Sequence, residues 1–281
     1  MLLCTTIAEI RRQVADWKAS GERVALVPTM GNLHDGHLAL VAQARQQADR
    51  VVVSVFVNPL QFNELDDFDA YPRTEAEDQK KLEAAAVVDT LFLPAFDEVY
   101  PGGQSRATKV LVPGLGDILE GEWRPGHFTG VATVVNKLFN MVLPDLAMFG
   151  EKDFQQLVLI QRMVADLNMP VAIVPVATTR ESDGLAMSSR NSRLTPEQRL
   201  LAPALYQCLQ RVREQMDQGS REFATLEFEA MDGLKQEGFL PEYVAIRRSH
   251  DLEKPEPSDR KLVILTAARL GGTRLIDNLQ L

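Results

Sequence analysis

The chain predicts an α/β fold, a mostly parallel sheet flanked by helices, followed by a smaller α+β domain. The short apolar segment Val24–Val27 reads as a strand buried on both faces, as in a parallel sheet covered by helices, and the mostly apolar Val51–Val57 reads as the next strand. Segments of helical periodicity alternate with them at the spacing of βαβ units. After about residue 178 that rhythm gives way to longer helices and two extended stretches.

Each element has its own signal. Thr6-Ile7-Ala8-Glu9 has capping-box spacing, and Ile7, Ile10, Val14 and Trp17 then recur on one helical face. Gly21 ends that helix, and the strand over 24–27 follows. A helix is predicted from near Gly36 to Ala48, with Leu38, Val41 and Ala48 inward. The strand over 51–57 stops at Asn58-Pro59. A helix over 75–86 and a short strand over 90–93 come next; Pro101-Gly102-Gly103 breaks the chain, and 109–112 is expected to be extended. A helix over 129–142, a strand over 147–149, a helix over 154–167 and a strand over 171–176 complete the alternation. Thr195-Pro196-Glu197-Gln198 combines a cap, a first-turn proline and a capping-box glutamine. Helices are therefore expected over 196–216 and 224–237, extended stretches near 242–247 and 261–267, and a proline-rich loop over 253–258. The domains fall at 1–177 and 178–281.

Composition narrows the function classes. A length of 281 residues, 45% hydrophobic and 25% charged, suits one large globular domain plus a smaller one. No charge-free apolar run reaches the roughly 18 residues of a membrane span. The start, with Glu9 and Asp16 in an amphipathic pattern, is unlike a signal peptide. The 2 cysteines, Cys4 and Cys208, form neither a disulfide framework nor a CxxC metal site, so a reducing cytoplasm is expected. A formal net charge of −9 argues against nucleic-acid binding, which needs a basic surface. A local group of Lys and Arg can still hold an anionic small molecule. There is no dinucleotide fingerprint, Walker loop or GxSxG nucleophile motif.

The residues that carry chemistry follow predicted strands, where ligands of parallel sheets gather. Of 4 histidines, His34, His37 and His127 lie in glycine-flanked segments. His34 and His37 stand three apart beside an expected helix N-terminus, an arrangement suited to steadying phosphate oxygens. Ordinary loop histidines are the alternative, and without nearby carboxylates the pair makes no zinc site. Asn58 and Gln61 offer amides suited to a substrate with a hydroxyl and a carboxylate, or a strand-end turn. Tyr71 and Arg73 add an aromatic and a guanidinium. His127 precedes a helix as a substrate contact or a satisfied loop residue. In Gly150-Glu151-Lys152-Asp153, Lys152 can meet phosphate and Asp153 can cap a helix or take a ribose hydroxyl. Met187-Ser188-Ser189-Arg190 sets two hydroxyls beside an arginine, an anion clamp or a plain polar loop.

These motifs, in this order, resemble the pantoate–β-alanine ligase (pantothenate synthetase) family, within the nucleotidylyltransferase superfamily of adenylate-forming enzymes. The resemblance rests on PTMGNLHDGH at 28–37, FVNPLQF at 56–62, YPR at 71–73, RPGHFTGVATVVNKLFN at 124–140, PDLAMFGEKDFQQL at 144–157, DGLAMSSRNSRL at 183–194 and LIDN at 275–278. It implies a Rossmann-like first domain, a smaller second domain closing over the active site, and a cytoplasmic homodimer. It also implies a two-step reaction of ATP, with Mg2+, on (R)-pantoate and β-alanine through a pantoyl adenylate. Carried over by position, Met30, Gly31, Asn32, Leu33, His34, Asp35, Gly36 and His37 form the first ATP segment, with His37 as proton donor. Gln61 and Gln156 grip pantoate, with Asn58, Tyr71 and His127 as secondary contacts. Gly150, Glu151, Lys152 and Asp153 form the second nucleotide segment. Thr179 meets the adenine side through its backbone, and Met187, Ser188, Ser189 and Arg190 form the phosphate-side segment. No residue is assigned as a metal ligand. The rival functions are a nucleotidylyltransferase acting on a phosphorylated acceptor and a catalytically silent nucleotide sensor.

Overall fold

The computed structural model describes residues 1–62, 68, 69 and 71–281. Its chain divides into two compact units, one of Met1–Glu151 with Gln156–Ala177 and one of Lys152–Gln155 with Thr178–Leu281.

The first unit is built on a six-stranded sheet: β1 (Leu2–Cys4), β2 (Val24–Thr29), β3 (Arg50–Val55), β4 (Thr90–Phe92), β5 (Leu146–Gly150) and β6 (Ala172–Val176). The strand order is β1-β4-β3-β2-β5-β6, and every pairing is parallel. Helices Ile7–Ala19, Asp35–Gln47, Glu75–Ala85, His127–Val142 and Phe154–Asp166 lie between successive strands. Val27, Val53, Leu91 and Met148 form part of one core, with Val41 and Ala44 of the helix Asp35–Gln47 fully buried against them. Leu38 and Ala48, expected inward, are only partly buried there.

The order of strands creates the opening that a ligand needs. From β2 the chain builds to one side through β3 and β4, then returns to the other through β5 and β6, so the switch point lies between β2 and β5. Those two strands pair only at Ala25–Leu146 and Leu26–Ala147, although β2 continues to Thr29 and β5 to Gly150. Their carboxyl ends therefore part.

The second unit holds an antiparallel sheet, β7 (Leu240–Arg248), β8 (Leu262–Leu270) and β9 (Thr273–Gln280), in that order. Leu205, Leu209 and Val212 of the helix Ala204–Asp217 and Leu226 and Leu234 of Phe223–Gln236 share a core with Val244, Ile246, Ile264 and Ala268.

Several sequence expectations are corrected. The single helix expected over 196–216 is two, Pro196–Leu201 and Ala204–Asp217, because Pro203 lacks an N–H and crowds the preceding turn. The helix His127–Val142 begins two residues before the expected Thr129. Strands β1 and β9 have no counterpart in the expectation, and the segment 109–112 joins no sheet.

A partly exposed ion-pair network lies at the amino ends of β3 and β4. Asp89 Oδ2 accepts from Val51 N at 2.8 Å and from Arg45, and Asp89 Oδ1 accepts from Arg50 at 3.1 Å. Asp89→Ala leaves a strand amide and two guanidinium groups short of an acceptor. Its expected cost is about 1–3 kcal/mol, read as a lower urea midpoint with an unchanged slope.

Candidate functional site

The segment after β2 is shaped by a buried carboxylate. Asp78, 1% exposed, accepts from Asn32 N at 2.8 Å, from Leu33 N at 2.7 Å and from Thr74 Oγ1 at 3.0 Å. Lys81 Nζ donates to Leu33 O at 2.6 Å. Gly31 and Asn32 both take positive φ, and a Cβ at Gly31 would lie 3.0 Å from Asp78 Oδ2. Asp78 was not among the expected site residues. Its signal was weak: it shares an i, i+4 face with Leu82, the buried apolar residue of a highly charged helix.

The loop so fixed delivers the histidines to the start of the helix Asp35–Gln47. His34 is the N-cap, outside the helix, and His37 is the third helical residue. Their ring centroids are 4.1 Å apart. His34 Nδ1 accepts from Gly36 N at 3.2 Å, and His37 Nδ1 accepts from His34 N at 3.3 Å. A backbone N–H can only donate, so both Nδ1 atoms are unprotonated. In each neutral ring the proton then sits on Nε2. The helix start thus presents two imidazole N–H donors together with its own dipole.

Beyond β3 the chain turns through a short 3-10 segment, Pro59–Gln61. Asn58 is wholly buried, and its Nδ2 donates to Gly130 O and to Gln61 Oε1, both at 3.1 Å. The Gln61 Nε2 donates to Met30 Sδ at 2.7 Å. His127 is buried and meets Gln61 O through Nδ1 at 2.8 Å, while Arg124 lies 3.3 Å from its Nε2. A carbonyl only accepts and a guanidinium only donates, so His127 carries its proton on Nδ1, the reverse of the other two rings. Tyr71 is buried, its ring 5.6 Å from that of Phe62. Gln156 is half-buried on the helix Phe154–Asp166.

In the second unit, Lys152 Nζ lies 3.8 Å from Asp153, and Asn278 Nδ2 holds Lys152 O at 2.9 Å. Thr179 O accepts from Met187 N at 3.0 Å. Ser188 caps the short turn Ser189–Arg193, its Oγ accepting from Arg190 N at 3.3 Å. The base of this segment is tied down by Arg180, which makes a bidentate pair with buried Asp277 at 2.7 and 2.9 Å and stacks 3.6 Å above the Tyr206 ring. Neither Arg180 nor Asp277 carries a local sequence signal: an isolated arginine has no spacing to read, and Asp277 lies in LIDN, whose only mark is the family resemblance.

A parallel sheet with paired imidazoles at a helix start beside its switch point places the first unit in the Rossmann-like class of α/β folds. The Pantoate-beta-alanine ligase family matches residues 2–280. The chain is 54% identical over 280 residues to the pantothenate synthetase of Nitrosococcus oceani, covering 100% of this chain and 98% of that one. It is 56% identical over 274 residues to that of Thioalkalivibrio sulfidiphilus, covering 98% and 96%. The crystal structure of pantothenate synthetase from Thermus thermophilus superposes with a TM-score of 0.92 at 46% identity, over 99% of both chains. That of the Francisella tularensis pantoate–β-alanine ligase, complexed with β-γ ATP and β-alanine, gives 0.82 at 32%, over 99% of this chain and 97% of that one. The chain belongs to the pantoate–β-alanine ligase family, and its reaction is the ATP-dependent ligation of pantoate and β-alanine to pantothenate.

Close packing behind Gln61 yields a test. A Cβ at Gly130 would lie 2.2 Å from Leu60 O and 2.6 Å from Gln61 N. Gly130→Ala must push the Pro59–Gln61 turn away, at an expected cost of about 1–3 kcal/mol. The KM for pantoate is expected to rise together with a fall in melting temperature; unchanged values of both would mean the turn does not depend on this contact.

Proposed function

We propose that the ligation runs through a pantoyl adenylate. The carboxylate of (R)-pantoate attacks the α-phosphorus of ATP and diphosphate leaves. The amine of β-alanine then attacks the acyl carbon, loses a proton and expels AMP. No covalent link to the protein is required, so the residues must orient reactants and stabilise moving phosphate charge. The observation that carries this reading is the histidine cap: two Nε2–H donors at a helix N-terminus beside the switch point.

In this reading Met30 to His37 bind the nucleotide. His34 and His37 donate Nε2–H hydrogen bonds to phosphate oxygens; with Nδ1 unprotonated, His37 steadies the charge on departing diphosphate as a hydrogen-bond donor and keeps its one ring proton. Gly150, Glu151, Lys152 and Asp153 form the second nucleotide segment, Lys152 bringing charge to phosphate and Asp153 meeting the ribose. Thr179 meets the adenine side through its backbone, while Met187, Ser188, Ser189 and Arg190 hold the outer phosphates. Gln61 and Gln156 grip pantoate. Tyr71 is a secondary contact; buried Asn58 and His127 act by fixing Gln61, which their hydrogen bonds support.

The same reading takes Mg2+ with ATP. Among the described residues, no three His, Cys, Asp or Glu side chains gather to cage an ion. In this reading the ion is carried largely on triphosphate oxygens and water. Family membership supports a homodimer in the cytoplasm. Among the described residues, no helix is long and apolar enough to cross a membrane.

Purified protein with ATP, Mg2+ and (R)-pantoate is expected to release diphosphate and form pantoyl adenylate, identified by mass. Added β-alanine should convert the adenylate to pantothenate and AMP. Folded protein that binds ATP but gives no pantoate-dependent diphosphate would refute the two-step route. Lys152→Ala is expected to slow adenylate formation by about 100-fold, measured in single turnover; an unchanged rate would remove Lys152 from the phosphate site. Gln61→Ala is expected to raise the KM for pantoate about tenfold, with a much smaller change for ATP.

A further inference from the structure

We propose that Tyr100 is a positioning residue for the acid substrate: through the buried amide of Asn58, its hydroxyl fixes which end of the Gln61 amide faces pantoate. The inference rests on the reading of Gln61 as a pantoate contact.

The polarity of the chain can be followed atom by atom. Gly130 O is acceptor-only, so the Asn58 atom 3.1 Å away must be nitrogen. Its other amide atom, Oδ1, then faces the Tyr100 hydroxyl at 2.8 Å, and the phenol must donate. The second N–H of Asn58 points to Gln61 at 3.1 Å, so the facing Gln61 atom is Oε1. The NH2 end of Gln61 is therefore the end turned toward Met30. That end is a donor, as a carboxylate or hydroxyl oxygen requires.

Tyr100 is well placed to hold this order. It is 1% exposed, closing the short helix Phe96–Val99, with the rings of Phe96 and Phe56 at 5.6 and 6.1 Å. Lys137 Nζ lies 5.5 Å from its ring centroid. Burial pushes the phenol well above its ordinary titration range, so the donated proton stays on oxygen at neutral pH. Without that donor, Asn58 Oδ1 is a buried acceptor lacking the hydrogen bond that Tyr100 supplied, and rotation of the amide costs less relative to the native setting.

The experiment is a steady-state comparison of Tyr100→Phe, Gln61→Ala, the double variant and Phe96→Leu, with melting temperatures. Tyr100→Phe is expected to raise the KM for pantoate about tenfold while that for ATP stays within about twofold. In the double variant it should add nothing to Gln61→Ala, since both act at one group. Phe96→Leu loosens the same ring without touching the hydroxyl and should leave the pantoate KM near wild type. An unchanged pantoate KM in Tyr100→Phe, equal rises for ATP and pantoate, additive effects in the double variant, or the same rise in Phe96→Leu would each overturn the role. If Gln61→Ala raises the pantoate KM and Tyr100→Phe does not, only the positioning role fails. If Gln61→Ala itself leaves it unchanged, the reading of Gln61 fails and the positioning role with it. Should Tyr100→Phe not fold, Asn58→Asp removes the donor facing Gln61 and Gly130. The same selective rise is expected there, and its absence overturns the proposal.

Discussion

The buried carboxylate of Asp78 sets the geometry on which the loop after β2 and the two histidines at the following helix start depend. Parallel strands end with backbone amides that no neighbouring strand satisfies, and burying them unpaired is costly. Here Asp78 takes the amides of Asn32 and Leu33, which lets Gly31 and Asn32 turn through positive φ immediately after β2. The helix then starts at Asp35 with His34 as its cap. Were the loop held by water alone, the two rings would lose the fixed frame that defines which nitrogen each presents.

The same logic of obligate donors and acceptors runs through the rest of the unit. Three histidines occupy two tautomers because their neighbours differ. His34 and His37 receive backbone N–H groups on Nδ1, whereas His127 faces a carbonyl with that atom. His127 thus serves the backbone of Gln61, and Asn58 serves its side chain. Asn58 is wholly enclosed, its amide engaged by Tyr100, Gly130 and Gln61.

How much of this was legible follows from what leaves a periodic trace. The inner strands were readable because a strand buried on both faces must be almost wholly apolar, as Val51–Val53 are. Strand β1 was not, since three residues with Leu2 and Leu3 exposed leave no pattern apart from the helix that follows. Strand β9 was hidden by its composition: Asp277 and Asn278 are buried but polar, their places set by Arg180 and Lys152 across the fold. The histidine, glutamine and glycine motifs were legible as local strings. Asp78, Arg180 and Tyr100 were not, because each acts on a segment distant in sequence.

That division has a physical cause. A group that meets a ligand from a strand end sits in a loop, where backbone demands write turn residues and caps into the sequence beside it. A group that holds such a loop from behind sits on ordinary helix or turn, and its only local requirement is that it be buried. Asp78 shows how far this goes. The highly charged helix Glu75–Ala85 looks like a solvated surface element, yet one of its carboxylates is 1% exposed and bonded to two amides of a remote loop. Replacing that carboxylate with an apolar residue of similar size would preserve the helix and its packing into the core through Leu82. It would still leave the Asn32 and Leu33 amides without the acceptor that Asp78 gives them, so the penalty would fall on the loop and its histidines rather than on the element that changed.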